Sequence, residues 1–192
     1  MKRILAFSGS NSSRSINQKL AQYAASLVKK SEVTLINLKD YPLPIFNIDC
    51  EEKVGIPDKA LELKAIFDAH DAFIIAIPEY NSSMPSFFKN IIDWLSRIEK
   101  SVFRGKPIIL MSATPGSSGG HNVIPEVEKV VSGYLTGKVI GKIGFPKYFR
   151  IFQTIEDNLE IKDDSLKIEL KEMIKSLESK LTKEEEVNLP KS

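Results

Sequence analysis

The chain has 192 residues, 42% hydrophobic and 27% charged, enough for one well-buried domain and short for two. Its 27 basic and 25 acidic residues are mixed along the chain and leave a formal charge of +2, which is no electrostatic footprint for nucleic acid. One cysteine, Cys50, and two histidines leave no internal disulfide and no convincing metal set, and no apolar run approaches the ~18 residues of a membrane span.

The N-terminus is basic and then only briefly apolar, too short for a signal peptide, so a cytoplasmic protein is expected. The first apolar run, Ile4 to Phe7, leads into Gly9-Ser10-Asn11-Ser12-Ser13-Arg14-Ser15-Ile16-Asn17. An amphipathic helix begins near Ser15, with Leu20, Ala21, Ala24, Leu27 and Val28 at helical spacing. A strand that ends in glycine and hydroxyl residues and then opens a helix points free N–H groups, the positive end of the helix dipole and several hydroxyls at one spot. That is the layout of a phosphate cradle. Arg14 adds the one positive charge of the segment. The same residues also read as a serine-rich turn in which Ser13 or Ser15 caps the helix.

A second apolar run covers Val33 to Leu38. Asp40 to Pro57 then holds Pro42, Pro44 and Pro57 with Tyr41 and Phe46, a stiff connection before a helix around Lys59 to Ala69. A loop this long is more often functional than filler. The third run, Ala72 to Ile77, is followed by Pro78-Glu79-Tyr80-Asn81-Ser82-Ser83, which also reads as a helix start with Pro85 in the first turn. Phe87, Phe88, Ile91, Ile92, Leu95 and Ile98 continue that helix.

The fourth run, Ile108 to Met111, leads into Ser112-Ala113-Thr114-Pro115-Gly116-Ser117-Ser118-Gly119-Gly120, where three glycines would let backbone come within contact distance of a flat ligand. A fifth run covers Val139 to Phe145. Leu166, Leu170, Met173, Ile174, Leu177 and Leu181 form a last helical stripe that covers a sheet, which bounds a single domain at 1–181. Thr182 to Ser192 is expected as a charged, mobile tail.

This alternation predicts an α/β three-layer sandwich. Continuously apolar strands belong in a parallel sheet covered on both faces, joined by right-handed crossovers. With five strands in the order 2-1-3-4-5, the loops after strands 1, 3 and 4 line one rim, and ligands of such sheets bind at the carboxyl ends of the strands where the order reverses.

Gly9-Ser10 with Ser15-x-Asn17, Pro78-Glu79-Tyr80-Asn81 running into Pro85 and Lys89-Asn90-Ile91-Ile92-Asp93-Trp94-Leu95-Ser96-Arg97, and then Gly116 to Gly120, resemble the NAD(P)H-dependent FMN reductase family over about residues 2–150. That family includes quinone, chromate and azo-dye reductases of the flavodoxin-like fold. The resemblance implies that Ser10, Ser15 and Asn17 hold the FMN phosphate. It also implies that Pro78 to Asn81 lie along the isoalloxazine ring and that the Gly116 to Gly120 loop approaches its pyrimidine side, where the backbone of Pro115 to Gly119 is the candidate for donors to the reduced ring. The family usually carries arginine at the place of Ser12, whereas here it stands at Arg14.

The expected cofactor-binding set is Ser10, Ser12, Arg14, Ser15, Ile16 and Asn17 in the first loop, Pro78, Glu79, Tyr80 and Asn81 in the second, and Pro115, Gly116, Ser117 and Gly119 in the third. No catalytic side chain and no metal is expected, since a flavin is its own electron sink. The implied activity passes a hydride from NAD(P)H to bound FMN and on to a small-molecule acceptor, such as a quinone, an azo compound or free flavin, by ping-pong kinetics. Homodimers or homotetramers are implied, with the Trp94 helix and the Pro42 to Phe46 loop as contributors to the subunit junction.

Other readings meet specific obstacles. Gly116-Ser117-Ser118-Gly119-Gly120 matches the nucleophile elbow G-x-S-x-G, but that fold needs a histidine well downstream of the serine, and only His70 and His121 occur. No Gly-Lys-Ser/Thr phosphate loop is present, and the dinucleotide fingerprint G-x-G-x-x-G is missing from the first turn. A non-enzymatic flavodoxin-type electron carrier shares fold and cofactor, yet such carriers are usually strongly acidic, and this chain is slightly basic.

Overall fold

The computed structural model of the chain describes residues 1–156 and 158–187. In chain order the first half comprises β1 (Arg3–Ser8), α1 (Ile16–Ser26), β2 (Glu32–Leu35), α2 (Ile48–Val54), α3 (Asp58–Asp68), β3 (Ala72–Ala76) and α4 (Ser86–Ile98). Next come β4 (Pro107–Ala113), α5 (Val123–Ser132), β5 (Lys138–Phe145), the short α6 (Tyr148–Ile151), the strands β6 (Phe152–Ile155) and β7 (Asn158–Ile161), and α7 (Asp164–Val187). The first five strands form one sheet in the order β2-β1-β3-β4-β5, parallel throughout. This is the flavodoxin-like α/β sandwich expected from the sequence.

Side-chain parity along the strands divides the core into two layers. Leu5, Phe7, Phe73, Ile75, Ile108 and Leu110 pack with α3, α4 and α5, while Ile4, Ala6, Ile74, Ala76, Ile109 and Met111 pack with α1 and α7. Every residue of β3 is buried, which is why that strand is apolar throughout rather than alternating. The edge strand β2 is mostly exposed and shorter than the apolar run suggested. The chain leaves the sheet at Asn37, whose side chain accepts from Lys39 N and starts a short 3-10 turn, Leu38–Asp40.

The proline-rich connection is more structured than expected. Asn47 caps α2 by accepting from Cys50 N at 2.7 Å, and Gly55, at φ 69°, ends it. The residues before α2 are strapped to α4. Pro44 O accepts from Asn90 Nδ2 at 3.0 Å and from Trp94 Nε1 at 2.7 Å, and Phe46 N donates to Asn90 Oδ1 at 2.8 Å. Trp94 itself is fully buried within the chain, so its indole is core and not part of an outer face.

Like α2, the elements between β5 and α7 were not read from the sequence, α6 among them. The antiparallel β6–β7 hairpin stands between β5 and α7. Helix α7 also runs on to Val187, so residues 182–187 are helical, and the remainder of the expected tail, 188–192, lies outside the described residues. Among the described residues no helix is long and apolar enough to cross a membrane.

Candidate cofactor cleft

The carboxyl ends of β1, β3 and β4 are neighbours, and a cleft of about 520 Å³ opens above them. Ser10, Ser12, Arg14, Ser15, Ile16 and Asn17 line it from the β1 side, Pro78, Glu79 and Tyr80 from β3, and Pro115 from β4. Asn81, Gly116, Ser117 and Gly119 do not line it. Lys19, Ala113, Thr114, Tyr148 and Phe149 do, and the sequence reading missed them.

The turn after β1 is fixed by its own hydroxyls. Ser10 Oγ accepts from Ser12 N at 3.1 Å, Ser12 Oγ from Arg14 N at 3.2 Å, and Ser15 Oγ from Gln18 N at 3.1 Å. Each oxygen thus uses a lone pair to hold the turn, and its own O–H remains a donor that can point outward. Ser15 is therefore both the cap of α1 and a residue lining the cleft. Ile16 and Asn17 occupy the first turn of α1, where main-chain N–H groups have no acceptor within the helix. Arg14 and Lys19 add two cations that form no salt bridge among the described residues. Gly9 makes room for this turn: a β-carbon there would lie 2.6 Å from Ile77 Cδ1 and 3.1 Å from the Phe88 ring.

The Asn17 side chain makes a contact that the sequence does not announce. Its side chain is 1% exposed, donates through Nδ2 to Ala113 O at 2.9 Å and accepts at Oδ1 from Ala113 N at 2.9 Å. Both polar ends are engaged in clamping α1 to the end of β4.

The loop after β3 is held from below by α5. Glu79 Oε2 accepts from Asn122 N at 2.9 Å and Val123 N at 3.1 Å, so a carboxylate sits on the first amides of that helix. Burial pushes the Glu79 carboxyl up, but the Val123 and Asn122 amides and side-chain hydrogen bonds from Ser118 and Asn122 outweigh it and hold it below its ordinary value. Tyr80 and Ser83 exchange main-chain hydrogen bonds at 2.9 and 3.1 Å, and between them Asn81 and Ser82 both take positive φ, 51° and 63°. This is a two-residue turn of the primed kind, in which asparagine is favoured for its tolerance of the left-handed region. Asn81 suits that backbone conformation, and its side chain does not line the cleft. Tyr80, half exposed, does.

The glycine-rich loop also departs from expectation. Thr114 Oγ1 accepts from Gly119 N at 2.9 Å, and Gly116 O accepts from Lys147 N at 2.6 Å, folding the loop back against the end of β5. Gly120, at φ 83°, has no room for a β-carbon, which would fall 2.2 Å from Ser112 Cβ. The protein's own packing, and not ligand approach, demands glycine there. Gly119 lines a separate cleft of about 310 Å³ behind the loop, with His121 and Lys142. Ser118 Oγ is directed at Thr114 Oγ1, 3.4 Å away, and only the main chain of His121 reaches Ser118, so the elbow reading finds no serine–histidine pair.

The fourth wall comes from α6. Tyr148 is buried, its phenol is pushed up by burial, and its ring stacks on Phe152 at 4.5 Å and 22°. Phe149 is 70% exposed. The adjacent aromatics Tyr148-Phe149 just after Pro146 were the available signal.

One end of the cleft is thus a cluster of outward donors and cations, and the other is apolar and aromatic. Its volume lies in the range of small-molecule and cofactor sites. These residues suit a flat heterocycle carrying a phosphate, which is what FMN is. An open parallel sheet of this order, with its cleft at the carboxyl ends of the strands, defines a flavodoxin-like protein.

The sequence model of the family described as NADPH-dependent FMN reductase matches residues 2–148. The chain is 36% identical over 118 residues to an NAD(P)H-dependent FMN reductase of Pseudomonas aeruginosa, covering 61% of this chain and 62% of that one. It is 35% identical over 78 residues to a quinone reductase of Escherichia coli, 41% of this chain and 42% of that one. These matches span less than two thirds of either relative. A protein of Oryza sativa subsp. japonica named "Probable NADPH:quinone oxidoreductase 2" is 31% identical over 180 residues, 92% of this chain and 87% of its own. Among solved structures, the flavoenzyme NAD(P)H:(acceptor) oxidoreductase FerB from Paracoccus denitrificans shares the fold with a TM-score of 0.74 at 22% identity, over 93% of this chain and 96% of that one. The chain belongs to the NADPH-dependent FMN reductase family.

Proposed function

We propose that the protein is an FMN-dependent oxidoreductase that takes a hydride from NAD(P)H and delivers it to a small-molecule acceptor of the quinone class. The observation that carries this reading is the set of three serine O–H donors and two cations, Arg14 and Lys19, gathered at the start of α1 in the same cleft as Tyr80 and Pro115. Ser10, Ser12, Ser15, Arg14 and the main-chain N–H groups of Ile16 and Asn17 would hold the FMN phosphate, and Pro78, Tyr80 and Pro115 would lie along the ring. Bound FMN supplies the hydride chemistry, so no nucleophile or dedicated acid is required of the chain.

The residues' task is placement. The hydroxyls and cations anchor the charged tail, the apolar loops exclude water from one side of the ring, and the mouth of the cleft admits donor and acceptor in turn. One shared mouth supports ping-pong kinetics. A homo-oligomer in the cytoplasm belongs to the same reading.

The test is to purify the protein, extract any bound chromophore, and titrate NADH and NADPH against a quinone. Rapid nicotinamide oxidation with a quinone alone, giving parallel double-reciprocal lines, is the expected result. Reduction that proceeds only through a partner protein would favour an electron carrier, and a colourless protein with no affinity for FMN would end both readings.

A further inference from the structure

The family match ends at residue 148, but the cleft does not. Phe149 is the next residue, and its ring lines the cleft while 70% exposed. A phenylalanine presented to water on a four-residue helix contributes nothing to the core. Its backbone, however, is held firmly. Lys147 takes φ 52°, Lys147 N donates to Gly116 O at 2.6 Å, and Tyr148 N donates to Thr114 O at 3.0 Å, which fixes α6 to the loop after β4.

Beneath it, Tyr148 stacks on Phe152, and Phe152 packs on Phe145 at 5.5 Å. Lys162 N closes the base of the β6–β7 hairpin on Ile151 O at 2.7 Å. The Phe149 ring stands perpendicular to that of Tyr148, with centroids 5.3 Å apart at 89°, and stays 70% exposed. The segment is an anchored arm with an open aromatic face at its tip.

The position of that face decides what it meets. The donors and cations lie beyond β1, whereas α6 follows β5, with β3 and β4 between them. A cofactor tethered by its phosphate at the β1 side leaves the opposite lip to whatever enters and leaves. We propose that Phe149 is a substrate-binding residue for the electron acceptor, selecting flat aromatic acceptors by stacking; this rests on the FMN reductase reading above. The acceptor class is an aromatic quinone, because a planar ring with a polarised face gains most from an exposed phenyl group.

The test compares wild type, Phe149→Ala and Phe149→Trp as FMN-loaded proteins. In the absence of NAD(P)H, the equilibrium Kd for 1,4-naphthoquinone is read from the perturbation of flavin absorbance. In turnover, KM is measured for 1,4-naphthoquinone and for ferricyanide, which has no ring to stack. Phe149→Ala is expected to raise the naphthoquinone Kd and KM about tenfold, the scale of one lost aromatic contact, with FMN affinity and ferricyanide KM unchanged and with Phe149→Trp restoring the wild-type values. An unchanged naphthoquinone Kd in Phe149→Ala would overturn the proposal. So would naphthoquinone and ferricyanide KM rising together, or a loss of FMN affinity confined to the variant. A wild-type chain that binds no FMN would defeat the underlying reading instead, and the FMN titration separates the two failures.

Discussion

The two ends of the central sheet treat polar groups in opposite ways. At the amino ends of the strands, Lys64 is buried between Asp68 and Glu99, 2.6 Å from the latter, and Arg104 closes the network at 2.8 Å from Glu99 and 3.3 Å from Asp68. Lys106 Nζ donates to the last carbonyls of α3, Phe67 O and Asp68 O, at 3.0 and 2.9 Å. Asp71 accepts from Arg3 N at 2.8 Å and pairs with Lys2. At the carboxyl ends, Arg14 and Lys19 have no counter-ion among the described residues, and three serines keep an O–H for an outside acceptor. Polar groups that satisfy one another stabilise the fold; those left with unmatched donors are the capacity to bind an anion.

Asn17 is where this contrast breaks, since it lines the cleft but spends its side chain on the main chain of Ala113. Asn17→Ala removes the side-chain partner of both the N–H and the C=O of Ala113, and at about 1.5 kcal/mol for each of these two groups a loss of about 3 kcal/mol in stability is expected, read from urea unfolding. FMN affinity should fall only as far as the rim loosens. Ser15→Ala sharpens the contrast from the other side. It should weaken FMN binding about ten- to a hundredfold in equilibrium titration, for one hydrogen bond to a charged group. Its cap loss should cost about 1 kcal/mol of stability. If Asn17→Ala lost affinity at full stability, the division of roles between the two residues would be wrong.

What was legible in the sequence follows the same division. The turn after β1 and its helix cap could be read because their hydrogen bonds join residues two or three apart, Ser10 to Ser12 and Ser15 to Gln18, so local order carries the information. The apolar strands could be read because both faces of the sheet are covered. The clamp from Asn17 to Ala113 spans 96 positions, and nothing near Asn17 announces it. Asn81 and Gly119 neighbour residues that line the cleft but do not line it themselves, and both take positive φ, which the sequence does not announce. Helix α6 was invisible for a related reason: four residues show no periodicity, and main-chain bonds to Thr114 and Gly116 hold it in place.

The amino end offers the smaller effects. Lys64→Met keeps the stem and volume of the side chain but removes its charge, while Asp68 and Glu99 keep Arg104 as a partner. Because both carboxylates are about a third exposed, the expected loss is about 1–2 kcal/mol, between the values for open and fully buried pairs, with FMN affinity unchanged.

Acid titration tests the same network by another route. Hydrogen bonds from Arg104 and Lys64 lower the Glu99 carboxyl from 4.5 to about 2, so its contribution to stability is present above the unfolded value and fades as the pH falls from about 4.5 toward 2. Glu79 is depressed as well, with burial opposing the amides of Val123 and Asn122, and it adds a loss of the same sign at the cleft end. Glu99→Gln should therefore flatten part of the acid limb of an unfolding-versus-pH curve while the Glu79 share persists. A curve of unchanged slope between pH 4.5 and 2 would mean that the Glu99 ion pairs do not outlast exposure to solvent, and that the amino end is held by its main-chain caps and not by its charges.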